Sequence, residues 1–164
     1  MKQLLTSFVR YDLWANEKLL DLILSLTEEQ QKQYIASSFP SVEKTCLHIW
    51  DASSIWWQRV QLHEQIVVPS LSFHPSMKDI ANGLLHQNKQ WIDWILEQDE
   101  KTLAADFSYK NLKGDPYRQP LQDIVLHLSN HGTYHRGQLV TLLRQLGVEK
   151  IPQIDYILFA RSGA

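Results

Sequence analysis

Leu4, Phe8, Tyr11, Ala15, Leu19, Leu22 and Leu26 follow one another at intervals of four, three, four, four, three and four residues. Side chains so spaced share one face of an α-helix, and an apolar face has to be buried against another element. The stripe predicts a helix from about residue 2 to 26. A second runs from about 42 to 62 through Val42, Cys46, Ile49, Ser53, Trp56 and Val60, with only Ser53 polar. A third extends to about 98 through Ile80, Leu84, Trp91 and Ile95, and a fourth from about 120 to 146 through Leu128, Leu139 and Leu142. Four long amphipathic helices with no convincing sheet predict an all-α fold, a four-helix bundle.

The punctuation agrees with these spans. "TEEQ" at 27–30 reads as a capping box opening a short helix. Ser41 is placed to cap the second long helix, and Ser76 with Asp79 to open the third. Gly147 supplies a C-terminal stop for the fourth. "QIVVPSLSFHPS" carries two prolines and serves as a long connection. "DFSYKNLKGDPYRQPL" alternates around a Lys-Gly-Asp turn, which predicts a small hairpin or ordered loop before the last helix. The connections around 62–75 and 104–119 are too long for simple hairpins, so at least one can cross the bundle and set helices parallel. The tail "IPQIDYILFARSGA" is apolar enough to pack back on the bundle. No internal repeat divides the chain, and residues 1–164 are expected to form one domain.

Charge and composition exclude several classes of function. A formal net charge of −2 with scattered basic residues gives no electrostatic case for a nucleic-acid partner. No segment approaches the ~18 apolar residues of a membrane span. Arg10, Asp12, Glu17 and Lys18 interrupt the N-terminal stretch where a secretory signal would need an apolar run. Cys46 is the only cysteine, which excludes an internal disulfide and suits a reducing compartment. A cytoplasmic protein without membrane or nucleic-acid partners is expected.

"HLSNHGTYHRGQL", residues 127–139, sets three histidines four residues apart beside Gly132 and Gly137. Residues i and i+4 lie ~5–6 Å apart on one helical face, so two imidazoles can reach one ion. The pattern offers two overlapping pairs, His127/His131 and His131/His135, and spacing does not choose between them. These rings border the buried stripe, where an unpaired polar group is costly. Each glycine costs about 1 kcal/mol against alanine within a helix, which close helix approach or room for a ligand would explain. His48 on the second helix can bring a third imidazole across the bundle. Cys46 points about 200° from His48 and is expected in the core. His63, His74 and His86 are expected at the surface, and most of the tryptophans in the core. No Glu-x-x-His pair, phosphate-cradling glycine loop, Gly-x-Ser-x-Gly or Cys-x-x-Cys is present.

"YDLWANEKLL", "TCLHIWDASSIWW", "FSYKNLKGDPYRQPLQDIVLH", "HLSNHGTYHRGQL" and "IPQIDYILFAR" occur in this order along nearly the whole chain. In these motifs the sequence resembles the DinB-like (DinB/YfiT, DNA-damage-inducible) family of metalloenzymes. The resemblance implies a four-helix bundle with up-down-down-up directions, and a homodimer. It also implies a divalent transition metal, Zn²⁺ or Ni²⁺, held by His48, His131 and His135. His127 then becomes a neighbour of the ion or a pocket residue. Asp51, one turn from His48, and Gln138, one turn from His135, are candidates to orient a ligand or accept a proton, against a plain packing or solvated role. No residue is singled out as catalytic.

The activity implied is that of a metal-dependent transferase, which activates a low-molecular-weight thiol for S-transfer to an electrophile. Such a thiol would be a cosubstrate, alongside a small-molecule substrate. A metal-dependent hydrolase using activated water is the alternative, as is a non-catalytic, stress-responsive metal-binding protein.

Overall fold

The computed structural model describes residues 1–163 and is built on four long helices. These are α1 (Lys2–Leu24), α3 (Val42–Val60), α5 (Met77–Glu97) and α7 (Leu121–Gln145). Short helices α2 (Glu28–Lys32), α4 (Pro69–Ser72), α6 (Glu100–Ala104) and α8 (Tyr156–Ser162) lie between or after them. Strands β1 (Asp106–Lys110) and β2 (Pro116–Pro120) pair antiparallel, Asp106 opposite Pro120 and Lys110 opposite Pro116. The segment before α7 is therefore a hairpin. Ala164, the last residue of the expected tail, lies outside the described residues.

Local chemistry explains where the helices begin. Thr27 and Gln30 close a reciprocal capping box at α2, as Ser76 and Asp79 do at α5. The Ser41 hydroxyl accepts the Lys44 amide at the start of α3. Asp99 does the same for Thr102 in α6, a cap that the sequence reading passed over. Gly147 follows α7 with φ of 79°, a left-handed conformation that a side chain resists.

Two apolar clusters fix the helix directions. One gathers Leu19, Leu20 and Ile23 of α1, Val42, Cys46 and Ile49 of α3, Ile80 and Leu84 of α5, and Leu142 and Leu143 of α7. The other holds Leu5, Val9, Trp91, Ile95, Leu103 and Val125, with Trp56 and Trp57 packed against it. The starts of α3 and α5 thus share an end with the finishes of α1 and α7, which runs α3 and α5 one way and α1 and α7 the other. Each of α1 and α3 packs on both α5 and α7. At the α3–α5 seam a Cβ on Gly83 would overlap the Trp50 indole, so the helices approach through that glycine.

Two sequence expectations shift. The buried line of α1 passes through Leu5, which is fully buried, while Leu4 is 47% exposed. The tail does return to the bundle, but as α8, with Phe159 buried against Tyr11, Ala15 and Trp14. Among the described residues, no helix is long and apolar enough to cross a membrane.

Candidate metal centre

Because α3 and α7 are neighbours, one histidine of α3 meets two of α7. His48 Nε2 lies 3.1 Å from His131 Nε2, which lies 3.1 Å from His135 Nε2. The three ligand nitrogens all fall within 4.8 Å of one another. His135 is buried, whereas His48 and His131 keep part of their surface open. On the far side of His135, the Gln138 carbonyl oxygen is 2.7 Å from Nδ1. An oxygen there can only accept, so Nδ1 carries the proton and Nε2 keeps its lone pair for the centre of the cluster. Phe39, from the loop before α3, stacks on the His48 ring at 3.8 Å with an 18° tilt and meets His135 edge-on.

The rings are set to be neutral. Burial, reinforced by the His135 ring, pushes the His48 pKa down to about 4. Burial, with His135, His48 and His127 alongside, does the same to His131. Burial also lowers His135, with the Gln138 bond working against it, and lowers His127. Neutral imidazole is the form that can ligate.

Hydrogen bonding alone does not satisfy this arrangement. A neutral His131 has at most one proton on Nε2 and can donate to only one of its two neighbours. A cation at the centre answers all three lone pairs together. Nitrogens about 2.0–2.1 Å from a common ion stand about 3.0–3.4 Å apart, and the two 3.1 Å separations match. The donor set therefore fits a divalent transition ion, and three protein ligands leave positions for water or substrate.

The other candidates stand at different distances from the three rings. His127 is exposed, 5.8 Å from His131 and packed edge-on against Trp56. Asp51 spends Oδ1 on the Ser70 amide and holds α4 against α3, so the packing role is the one its contacts support. Gln138 is drawn to the site through His135. His63, His74 and His86 are exposed, as expected, and Cys46 is buried. The two glycines divide. A Cβ on Gly132 would press on the Arg136 guanidinium at 2.9 Å, so this glycine makes room for a buried side chain, whereas Gly137 faces open space.

Sequence reasoning missed Phe39, the ring over His48, because a single aromatic in a turn has no periodicity to mark it. It also missed the floor of the site, where Asp12 meets Arg136 Nη2 at 2.6 Å. Asn16 receives Nη1 at 3.3 Å and donates to Asn88. A small cavity of about 30 Å³ lies among these residues, with His131 in its wall. Asp12 and Asn16 stand four apart on the buried line of α1, and that spacing was the available signal.

Residues 1–163 match the profile of the DinB family. The chain belongs to the DinB family. It is 27% identical to Protein DinB of Bacillus subtilis (strain 168), across 91% of this chain and 89% of that protein. The crystal structure of a DinB-like protein from Bacillus cereus superposes with a TM-score of 0.67 at 24% identity, covering 89% of this chain and 94% of that one. The structural likeness speaks for the fold.

Proposed function

We propose that this DinB-family protein is a metal-dependent transferase, in which an ion held by His48, His131 and His135 activates a low-molecular-weight thiol for S-transfer to an electrophile. The observation that carries the reading is the convergence of three neutral imidazoles, from two helices, on a point that is still partly open. When bound, Zn²⁺ or Ni²⁺ lowers the pKa of a coordinated thiol towards neutrality.

The protein's own residues prepare that event. Gln138 fixes the ring of His135, Phe39 covers one face of His48, and His127 with Trp56 borders the approach. The nucleophile has to come from outside. The chain's only thiol, Cys46, is buried in the core, and burial raises its pKa to about 12. In this reading residues 1–164 act as one domain, cytoplasmic and homodimeric, with a small-molecule substrate.

Metal content of the purified protein, followed by an assay pairing small thiols with an electrophile such as a chloronitroarene, tests the proposal. Thiol conjugation that depends on the ion, and fails in His131→Ala, is expected. Ester hydrolysis without added thiol would replace this reading with that of a hydrolase. An ion with no exchangeable position would leave only a structural staple between α3 and α7.

A further inference from the structure

We infer that Arg59, set between Trp56 and Tyr109, forms a subsite for a carboxylate on the ligand that reaches the histidine cluster. The inference deepens the thiol-transferase reading and rests on it for the identity of the ligand's other end.

Arg59 follows His48 by eleven residues, about 16 Å along the axis of α3 and only about 20° around it. The two therefore share one line of the helix. Helical side chains lean towards the N-terminus, so the arginine reaches back along that line towards the cluster. The way between them is paved by rings. His127 stands 5.8 Å from His131, Trp56 stands 5.7 Å from His127, and Tyr109 of the hairpin stands 4.8 Å from Trp56. The Arg59 guanidinium carbon lies 4.6 Å from the Trp56 ring and 5.4 Å from that of Tyr109. Phe39, from the loop before α3, stacks on His48, whereas Trp56 and Arg59 follow His48 along α3.

The cation is unanswered. Among the described residues Arg59 makes no ion pair and no side-chain hydrogen bond, and its Nε is buried without a partner. Asp51, two turns before it on α3, is engaged with the Ser70 amide, and Asp106 of the hairpin with Arg118. Stacking on rings holds the guanidinium plane in place while leaving N–H groups free. Partial burial, which lowers its pKa, strips it of some water. A planar, partly desolvated fork of donors suits a carboxylate, which it can bind through two parallel hydrogen bonds. The class implied is a slender ligand with a metal-binding thiol at one end and a carboxylate about 10 Å away, given the reach of the arginine itself.

Calorimetry with matched probes tests this. On zinc-loaded protein, 8-mercaptooctanoate should bind about tenfold or more tighter than 8-mercaptooctanol, the gain expected of a charged hydrogen-bonded pair. Arg59→Gln should bring the acid to the level of the alcohol and leave the alcohol unchanged. Arg59→Lys, which keeps the charge but loses the fork, should retain part of the preference. On metal-stripped protein, octanoate against octanol should show a preference of the same sign, again lost in Arg59→Gln. No preference for the acid, or one that survives Arg59→Gln, overturns the subsite. If that preference holds while zinc does nothing for thiol affinity, the metal–thiol reading fails and the carboxylate subsite stands.

Discussion

A single imidazole in this cluster is useful because its surroundings keep it neutral. Replacing His131 or His135 with alanine removes one of three bonds, and elemental analysis should show metal affinity lower by orders of magnitude. His127→Ala should lose little, since its ring stands 5.8 Å from that of His131 and outside the triad. Equal loss in His127→Ala and His135→Ala would dismiss the assignment. Gln138→Leu leaves the three ligands in place but frees the His135 ring, and metal affinity should fall ~10–100-fold. The same burial predicts a pH dependence for metal-free protein. His48 and His131 take protons near 6.5 when unfolded but near 4 when folded. Between those values the unfolded chain binds protons that the native rings refuse. The stability they contribute is thus complete above about pH 6.5 and is lost as pH falls towards 4. Burial raises the Asp12 carboxyl, which works in the opposite direction, so the comparison must be made between proteins that share Asp12. Thermal melts in chelator should show a shallower acid decline for His48→Gln than for wild type. Parallel declines would mean that the His48 ring is not held neutral.

Helix α3 meets α5 through a glycine and α7 through a histidine, and the two contacts should respond differently to substitution. Gly83→Ala sets a methyl group into the Trp50 ring, which is partly buried against the core and has to shift to admit it. A loss of about 1–3 kcal/mol in chemical denaturation is expected, with or without metal. His48→Ala should behave otherwise. An ion that joins α3 to α7 stabilises the native state by about 4 kcal/mol at a thousandfold excess over Kd, and this variant should lose most of that gain. Its melting point in chelator should stay near wild type, and a drop there with metal rescue intact would make His48 a structural histidine instead. The long elements were legible because α1, α3, α5 and α7 each bury a stripe with helical period, and because Ser41 and Ser76 mark the starts of α3 and α5 with side-chain chemistry. The hairpin was half legible, since alternation with a Lys-Gly-Asp turn suits a strand pair or an ordered loop equally. Helices α4, α6 and α8 were not read, as each is four to seven residues long and too short to show a period. His131 and His135 were visible as an i,i+4 pair, but the exclusion of His127 needed the family resemblance. Phe39 and Arg59 depend on which helices become neighbours, and local pattern does not encode that.

Across the whole bundle, the least expected feature is a charge pair where core would be. Arg136 is 1% exposed and Asp12 is 7% exposed. In the sequence Asp12 reads as one of the charges that break an apolar run, yet it lies on the buried line of α1. Burial raises the Asp12 pKa, and the Arg136 guanidinium, which keeps its own proton, pulls it back towards the charged form. The pair links α1 to α7, and through Asn16 and Asn88 to α5. Gly132 leaves space for it one turn before Arg136. Buried pairs add little net stability over a well-packed apolar core, but stranding one member is costly. Asp12→Ala should therefore destabilise the protein by about 3–5 kcal/mol, through the unpaired guanidinium. The double variant Asp12→Leu/Arg136→Met should recover most of that loss, because neither charge is left in the core. Urea denaturation of Asp12→Leu, Arg136→Met and the double variant measures the coupling directly. A double variant as weak as the sum of the singles would mean that the two residues act independently. Metal affinity read on the same proteins adds a second result, since His131 lines the cavity beside the pair. If stability returns in the double variant while metal binding stays weakened, the charges orient the ring of His131. If both return together, the pair serves only to pack α1 against α7.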